Sequence, residues 1–148
     1  MAVDSTTFTT ILAALADTLG AADGVDVYPH EPRELDALPA ATIVLERAER
    51  AAIDLGEVRR ESQIGSVDLR CAWTVRVWCR GDALKSGEAA ALGVLGQVVA
   101  AVDADEQLGG VVESATVESV SRERVEAPPD SGREFVTFVL TVVTSSLH

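Results

Sequence analysis

The chain has two histidines, His30 and His148, the residue type that most often serves as a catalytic base near neutral pH. His30 lies in a proline-rich segment and His148 ends the chain, and neither has a serine beside it in a Gly-x-Ser-x-Gly elbow. A nucleophile needs a positioned base, and the sequence contains no recognisable pair of this kind. We therefore interpret both histidines as solvated surface side chains and predict no catalytic residue.

Two further stretches contain residue types that bind phosphates or cations, but their spacing is wrong. Residues 85–87, Lys-Ser-Gly, match part of a phosphate-binding loop, yet the glycines that precede the lysine in such a loop are missing. Asp103, Asp105 and Glu106 form the densest acidic cluster, and they lack the glycine and the spacing of a calcium loop. We interpret these acids as a solvated helix end, and we predict that the protein is not an enzyme and has no cofactor.

The two cysteines, Cys71 and Cys79, lie on one predicted strand and point to the same side. At ~3.3 Å per residue they are about 26 Å apart, whereas a disulfide needs Cα atoms within about 7 Å. No histidine or further cysteine lies near enough in the sequence to complete a zinc site. We predict two free thiols that pack as small apolar side chains, and no metal site.

The element that organises the chain is residues 67–80, in which apolar residues alternate with mostly polar ones. An alternation of this length predicts a β-strand with one face in a core and the other towards something polar. The core face has Val67, Leu69, Cys71, Trp73, Val75, Val77 and Cys79, and the other face has Asp68, Arg70, Ala72, Thr74, Arg76, Trp78 and Arg80.

A helix is predicted to follow this strand at once, over about residues 84–102, with Asp82 as its N-cap. Gly93 and Gly96 lie within it, and we expect them to let the helix approach the sheet closely. The residues with the three-and-four spacing of one buried stripe are Leu84, Ala91, Leu92, Leu95, Val98, Val99 and Val102.

The remaining pattern predicts a leading helix and four more strands. The helix has Phe8, Ile11, Leu12, Leu15 and Leu19 on one face, and the strands are predicted at residues 25–28, 40–47, 111–120 and 135–144. The order is αβββαββ. It indicates an α+β fold with a largely antiparallel sheet of four to five strands and two main helices packed on one side, in a single domain over residues 1–148.

Residues 48–66 allow two interpretations: a projecting hairpin with its turn near residues 54–57, or a surface loop. The hairpin carries a register condition, because Ile43 and Leu45 must face the same side as Leu69 and Val67. Two-residue turns pair odd positions with even ones, so the condition requires an odd-length loop or a β-bulge.

The composition excludes several kinds of partner. The chain has 24 acidic and 12 basic residues and a formal charge of −12. Such a chain repels phosphate backbones and anionic membranes, so we predict no sequence-specific nucleic-acid binding and no membrane association. No apolar run approaches the ~20 residues that span a bilayer, and the start of the chain does not resemble a signal peptide. We expect a soluble protein made in the cytoplasm.

One surface feature suggests a protein partner. Arg70, Arg76, Trp78 and Arg80 share the non-core face of the long strand, and tryptophan and arginine are the residues most enriched in interface hot spots. Two alternatives remain: scattered arginines are common on surfaces, and Trp78 could be covered by another layer of the same chain. We favour a partner surface, because four of the seven residues on this face of the strand are tryptophan or arginine.

The sequence resembles the tail terminator, or tail completion, proteins of long-tailed bacteriophages. The resemblance covers nearly the whole chain, as a pattern of elements that contains no diagnostic residue. It consists of the leading helix, the strand entered by Pro-Ala-Ala-Thr-Ile-Val at residues 39–44, the strand Trp-Thr-Val-Arg-Val-Trp at 73–78, the helix at about 84–102, and two closing strands ending in Phe-Val-Thr-Phe-Val-Leu at 135–140.

The resemblance implies a structural virion subunit at the head-proximal end of the tail. Such subunits form a ring, commonly a hexamer, between the tail tube protein and the head-side connector or neck protein, and DNA passes through the channel. An acidic channel would let DNA slide without sticking. The hairpin at 48–66, with Arg59 and Arg60, would reach towards the lumen or the adjoining ring. The alternatives are another head–tail joining protein, of the neck or head-completion kind, and a bacterial ligand-binding α+β domain.

Overall fold

The structure is a computed structural model, and it describes residues 3–30, 38–52, 67–81, 85–123 and 134–148. Within these ranges, only the backbone is described for residues 51–52, 67, 80–81, 85–88 and 134–135. The predicted N-cap of the second helix, Asp82, lies outside the described residues, as do most of the predicted hairpin and both Arg59 and Arg60.

The elements follow one another in the predicted order. They are α1 (Thr7–Leu19), β1 (Asp26–Tyr28), β2 (Ala40–Ala52), β3 (Val67–Gly81), α2 (Lys85–Ala104), a short 3₁₀ helix (Leu108–Gly110), β4 (Ser114–Glu123) and β5 (Glu134–Leu147).

The five strands form one sheet in the order β1-β2-β3-β5-β4. β1 is parallel to β2, and the other neighbouring strands are antiparallel. This arrangement confirms the predicted α+β fold with a largely antiparallel sheet. β5 lies inside the sheet between β3 and β4.

The core lies between the two helices and one face of the sheet, here called the inner face. Trp73, Val75 and Val77 of β3 are buried there, in one cluster with Leu15 of α1 and Val98 of α2. Trp73 also satisfies its polar atom, because its indole N–H donates to the buried hydroxyl of Thr144 at 3.0 Å. The core face predicted for the long strand is confirmed.

The predicted register condition is met by a β-bulge. Ile43 pairs with Val75 and Leu45 with Trp73, whereas the next pair joins Arg47 to Ala72. Glu46 is therefore an extra residue in β2, and it keeps the apolar side chains of both strands on the inner face. β2 pairs with β3 as far as Ala52 opposite Val67, and the turn predicted near residues 54–57 lies outside the described residues.

Four predicted strand boundaries were wrong by three to five residues, and two of them are the ends of β4 at Glu123 and of β5 at Leu147, each three residues later than predicted. The second strand continues five residues past its predicted end at Arg47, because its charged continuation lies at an exposed edge of the sheet, where polar side chains suit a strand. β4 begins at Ser114 rather than Val111. The turn before it contains Gly109 and Gly110, both with positive φ, and Val112 donates its N–H to the carbonyl of Gln107 within that turn.

The predicted stripe of α2 is correct only in part. Ala91, Val98 and Val102 are buried, but the side chain of Leu92 is 52% exposed. The expectation for Gly93 and Gly96 was wrong, because both are exposed and a Cβ built on either would meet nothing within 4 Å. These glycines give the helix no close approach to the sheet.

The turn before α1 is organised by Asp4. The Asp4 carboxylate accepts hydrogen bonds from the backbone N–H of Thr6 at 2.8 Å and from its hydroxyl at 2.7 Å. These bonds to Thr6 lower the pKa of Asp4 below its ordinary value. The carboxylate thus holds the backbone that leads into the helix.

Candidate interaction surface

The face of the sheet opposite the helices, here called the outer face, contains the residues singled out as a partner surface. Because side chains alternate along a strand, Arg70, Arg76 and Trp78 lie on this face of β3. The backbone of Arg80 pairs with Phe135, but its side chain lies outside the described part of the chain, as do Arg59 and Arg60. Three of the six predicted contact residues can therefore be placed.

Arg76 and Trp78 contact residues of their own chain. The Arg76 guanidinium lies 3.1 Å from the carboxylate of Glu123 on β4, and the Trp78 indole N–H donates to the hydroxyl of Thr42 on β2 at 3.2 Å. Both side chains are half-buried. Their polar groups are therefore held in place on the outer face by residues of β4 and β2.

Arg70 lies at the other end of β3 and is more exposed. Its guanidinium is 3.0 Å from the carboxylate of Asp68, and 65% of its side chain is exposed. Asp68 also accepts a hydrogen bond from the hydroxyl of Ser145 on β5. An exposed pair of this kind contributes little to folding, so Arg70 is available to an acidic partner at small cost.

Small side chains form the centre of the outer face. Across neighbouring strands, Val44, Thr74 and Thr141 lie in one row, and Ala72 and Val143 lie in the next. None of the described helices packs over this face, since the buried residues of α1 and α2 belong to the inner core. The centre of this face therefore has mostly methyl and hydroxyl groups, and the Thr74 hydroxyl among them donates to the Glu46 carboxylate at 2.6 Å.

Both sides of the sheet end in long edges. Among the described residues, β2 has β1 as a neighbour only over Ala40–Thr42, so residues 43–52 leave one side of their backbone without a strand partner. All of β4 is likewise unpaired on the side away from β5, within the described ranges. Unpaired strand edges are ready templates for another strand.

A groove of about 410 Å³ lies where β1 ends and α1 extends over the edge of β2. Its lining is largely apolar and includes Phe8, Leu12, Ile43 and Leu45, with His30 at one side. Leu45 is 37% exposed, which is unusual for a leucine on a core-facing side of a strand. The groove leaves apolar surface of α1 and β2 uncovered at an unpaired edge.

The described residues contain no group of three or more histidine, cysteine or acidic side chains that could hold a metal ion. Cys71 and Cys79 are buried free thiols on the inner face, as predicted. No helix in the described ranges is long and apolar enough to cross a membrane.

Sequence reasoning identified the outer face but missed the two edges and the groove. The strand signal of residues 48–52 is weak because charged residues interrupt it, and the groove depends on where β1 stops relative to β2. The register condition was the one available signal, since it pointed to an irregularity in β2.

Comparison with known proteins gives no relative. No model of a known protein family matches the chain, and a search of curated proteins finds no match.

Proposed function

We propose that the protein is a structural subunit of a ring that closes the tail tube of a long-tailed bacteriophage, in the manner of tail terminator proteins. The element order supports the proposal: α1, three strands, α2 and two strands follow one another as in the pattern on which the resemblance rests. This agreement is the observation that carries the proposal. The protein would be part of the virion, at the head-proximal end of the tail.

The outer face suits a neighbouring layer of protein. Its centre is made of small side chains, while Trp78 and Arg70 supply an aromatic ring and a cation near its two ends. Interfaces typically combine such aromatic and arginine anchors with surrounding contacts that exclude water. We assign this face to the tail tube protein or to the head-side connector.

The charge of the subunit suits a passage for DNA. Each copy has a formal charge of −12, and a ring multiplies that charge by its copy number. A strongly acidic channel repels the phosphate backbone, so DNA passes without adhering to the wall. In this function the protein needs neither catalysis nor a cofactor.

A ligand-binding module is the second candidate, because the groove has the volume of a small-molecule site. The polar groups in its lining are few. The indole N–H of Trp73 is already donated to Thr144, which leaves the side chains of Thr9 and His30 as hydrogen-bonding groups. Ligand sites usually bring several polar groups together, so the groove supports this function less well.

The proposal is tested by adding the purified protein to tail tubes assembled from the tube protein encoded in the same genome. Electron microscopy should show an annular cap at one end of each tube. Binding to the head connector but not to tubes would place the protein among the neck or head-completion subunits instead. A monomer that binds neither would refute a role in the virion.

A further inference from the structure

The two edges of the sheet match each other in length and irregularity. β4 is ten residues long, as is the stretch 43–52 of β2. Each strand contains one bulge: Glu46 is the extra residue in β2, and Glu118 is the extra residue in β4, where Val117 and Ser119 pair with successive residues of β5. A bulge bends its strand and increases the local twist, so strands pair best where their bulges coincide.

The backbone groups at the two edges can also face each other. The N–H of Asp26 donates to the carbonyl of Pro39 at 3.1 Å, so the odd-numbered residues at this end of β2 direct their backbone groups away from β3. Each bulge shifts this alternation by one residue, and the pairings of β2 with β3, of β3 with β5 and of β5 with β4 extend it to the rest of both edge strands. The residues whose backbone N–H and C=O groups point to the open edges are Ile43, Leu45, Ala48 and Arg50 in β2, and Ala115, Val117, Val120 and Arg122 in β4.

We propose that copies of this chain join edge to edge, with residues 114–122 of β4 in one copy adding antiparallel to residues 43–51 of β2 in the next, and with Leu45 opposite Val120. This inference rests on the part of the proposed function in which copies associate. β2 and β4 run in opposite directions within the sheet, so two copies in the same orientation meet with antiparallel strands. Main-chain hydrogen bonds then supply the contact, as when an added strand extends a sheet.

The side chains select this register. Leu45 is 37% exposed and Val120 is 45% exposed, and both belong to the inner-face sets of their strands, so pairing them buries two apolar side chains together. The same register sets the two bulges opposite one another and places Arg47 opposite Glu118. It also brings Val120 of one copy to the apolar groove beside Leu45 of the next.

The contact is heterologous, because different surfaces of the two copies meet. A contact of this kind generates a closed ring if the rotation between copies closes, and an open chain if it does not. The twist of each sheet supplies a rotation between successive copies. The inner helices and the outer face then lie on opposite sides of a continuous band of strands.

Charges and bulges on an edge strand also serve to prevent pairing. Under that explanation, Glu46, Arg47 and Glu118 would keep the protein monomeric. The two explanations differ in what a charge reversal does. If the edges pair, reversing one charge weakens assembly; if the charges prevent pairing, the protein is a monomer with or without the reversal.

Charge reversal at the proposed pair is the test. Arg47→Glu and Glu118→Arg should each raise the concentration for half-assembly at least about tenfold, as expected for like charges brought together, and the double variant should restore it. Glu106→Arg makes the same charge change at an exposed site after α2, and it should assemble as the unmodified protein does. Single variants that assemble normally, or a double variant no better than the singles, would overturn the register.

A cross-link measures the contact directly. Leu45→Cys combined with Val120→Cys should give a ladder of covalent multiples on oxidation, because paired Cα atoms in an antiparallel sheet lie within disulfide reach. Leu45→Cys with Leu92→Cys is the matched control, since Leu92 is exposed on α2. Rings that persist without this cross-link would refute edge pairing and leave the proposed function standing. Cross-linked chains that never cap tail tubes would support edge pairing and refute the proposed function.

Discussion

Val75 and Arg76 are adjacent in β3 and have opposite environments. Val75 is fully buried among the helices, whereas Arg76 lies on the outer face against Glu123. Because the side-chain period of a strand is two, the same substitution should have different effects at the two positions.

Val75→Asp should unfold the protein, since a buried unpaired charge costs several kcal/mol against a total stability of order 10 kcal/mol. Arg76→Asp should leave a folded protein that is less stable by about 1 kcal/mol, because it exchanges an attraction to Glu123 for a repulsion. Circular dichroism with thermal melts measures both. Equal damage at the two positions would contradict the assignment of faces.

The two buried cysteines should be inert in the native protein. Desolvation raises the pKa of Cys71 and of Cys79 above the ordinary value of 9.0, and for Cys71 a hydrogen bond with Thr144 offsets this in part. We expect thiol reagents to modify both residues only after unfolding. Mass spectrometry without reductant should find no bond between them, and such a bond would contradict the strand geometry.

The raised pKa values also set a pH dependence. The folded protein retains these protons at pH values where the unfolded chain releases them. This contribution to stability is therefore fully present below about pH 9 and is lost as the pH rises above it. When the pH is raised from below 9 to above 9, the melting temperature of Cys79→Ala should fall less than that of the unmodified protein. An identical fall in melting temperature in both proteins would show that other titratable groups cause the loss of stability.

At the scale of the elements, Asp105 directly follows α2 and connects the end of this helix to α1 and to the 3₁₀ turn. Its carboxylate accepts a hydrogen bond from the hydroxyl of Thr18 at the end of α1 (3.2 Å) and another from the N–H of Gly109 in the 3₁₀ turn (2.9 Å). The sequence suggested only a solvated acidic cluster, because Thr18 is far from Asp105 along the chain. That expectation was wrong for Asp105.

Asp105→Ala should lower the free energy of unfolding by about 1–2 kcal/mol, because two hydrogen bonds are lost and the turn at Gly109 loses its acceptor. Asp103→Ala is the matched control, since Asp103 is exposed in the same segment, and it should change stability by less than about 0.5 kcal/mol. Chemical denaturation measures both. Equal effects would show that Asp105 has no special structural role.

The sequence predicted the elements whose environment is regular along their length. The alternation in residues 67–80 identified β3 and its two faces, and the apolar spacing identified both helices. It also required either an odd-length loop after β2 or a β-bulge, because faces and register conflict otherwise, and the structure has the bulge. These inferences depend on local periodicity, which a sequence displays directly.

The features that sequence reasoning missed depend on which elements meet. Residues 48–52, which only one of the two interpretations placed in a hairpin strand, form a strand because β3 is beside them, although their own composition is charged. The exposure of Leu92, Gly93 and Gly96 depends on which side of α2 faces the sheet at that point. The edges and the groove, likewise, exist only because β1 stops at Tyr28 while β2 continues.

At the scale of the whole molecule, two surfaces would serve two tasks in the proposed assembly. The edges of β2 and β4 would join copies, and the outer face with Trp78 would meet the tube or the connector. These tasks are separable, because Trp78 lies on the outer face, five residues along β3 from Trp73, the residue opposite Leu45.

Trp78→Ala should leave a folded protein that still forms rings but caps tail tubes poorly, since removing an aromatic hot-spot residue costs about 2 kcal/mol or more. Thr42→Val is the matched control, because it removes the acceptor of the Trp78 indole and keeps the ring in place. Electron microscopy of capped tubes measures the effect. Normal capping by Trp78→Ala would move the docking surface to another part of the molecule.

The central claim is that copies of this chain close into a ring, and native mass spectrometry of the purified protein tests it most directly. We predict one dominant closed species, commonly six copies, with few open intermediates, because a heterologous contact that closes satisfies every edge. A protein that stays monomeric at all concentrations, or that grows into polymers without a preferred size, would contradict the account.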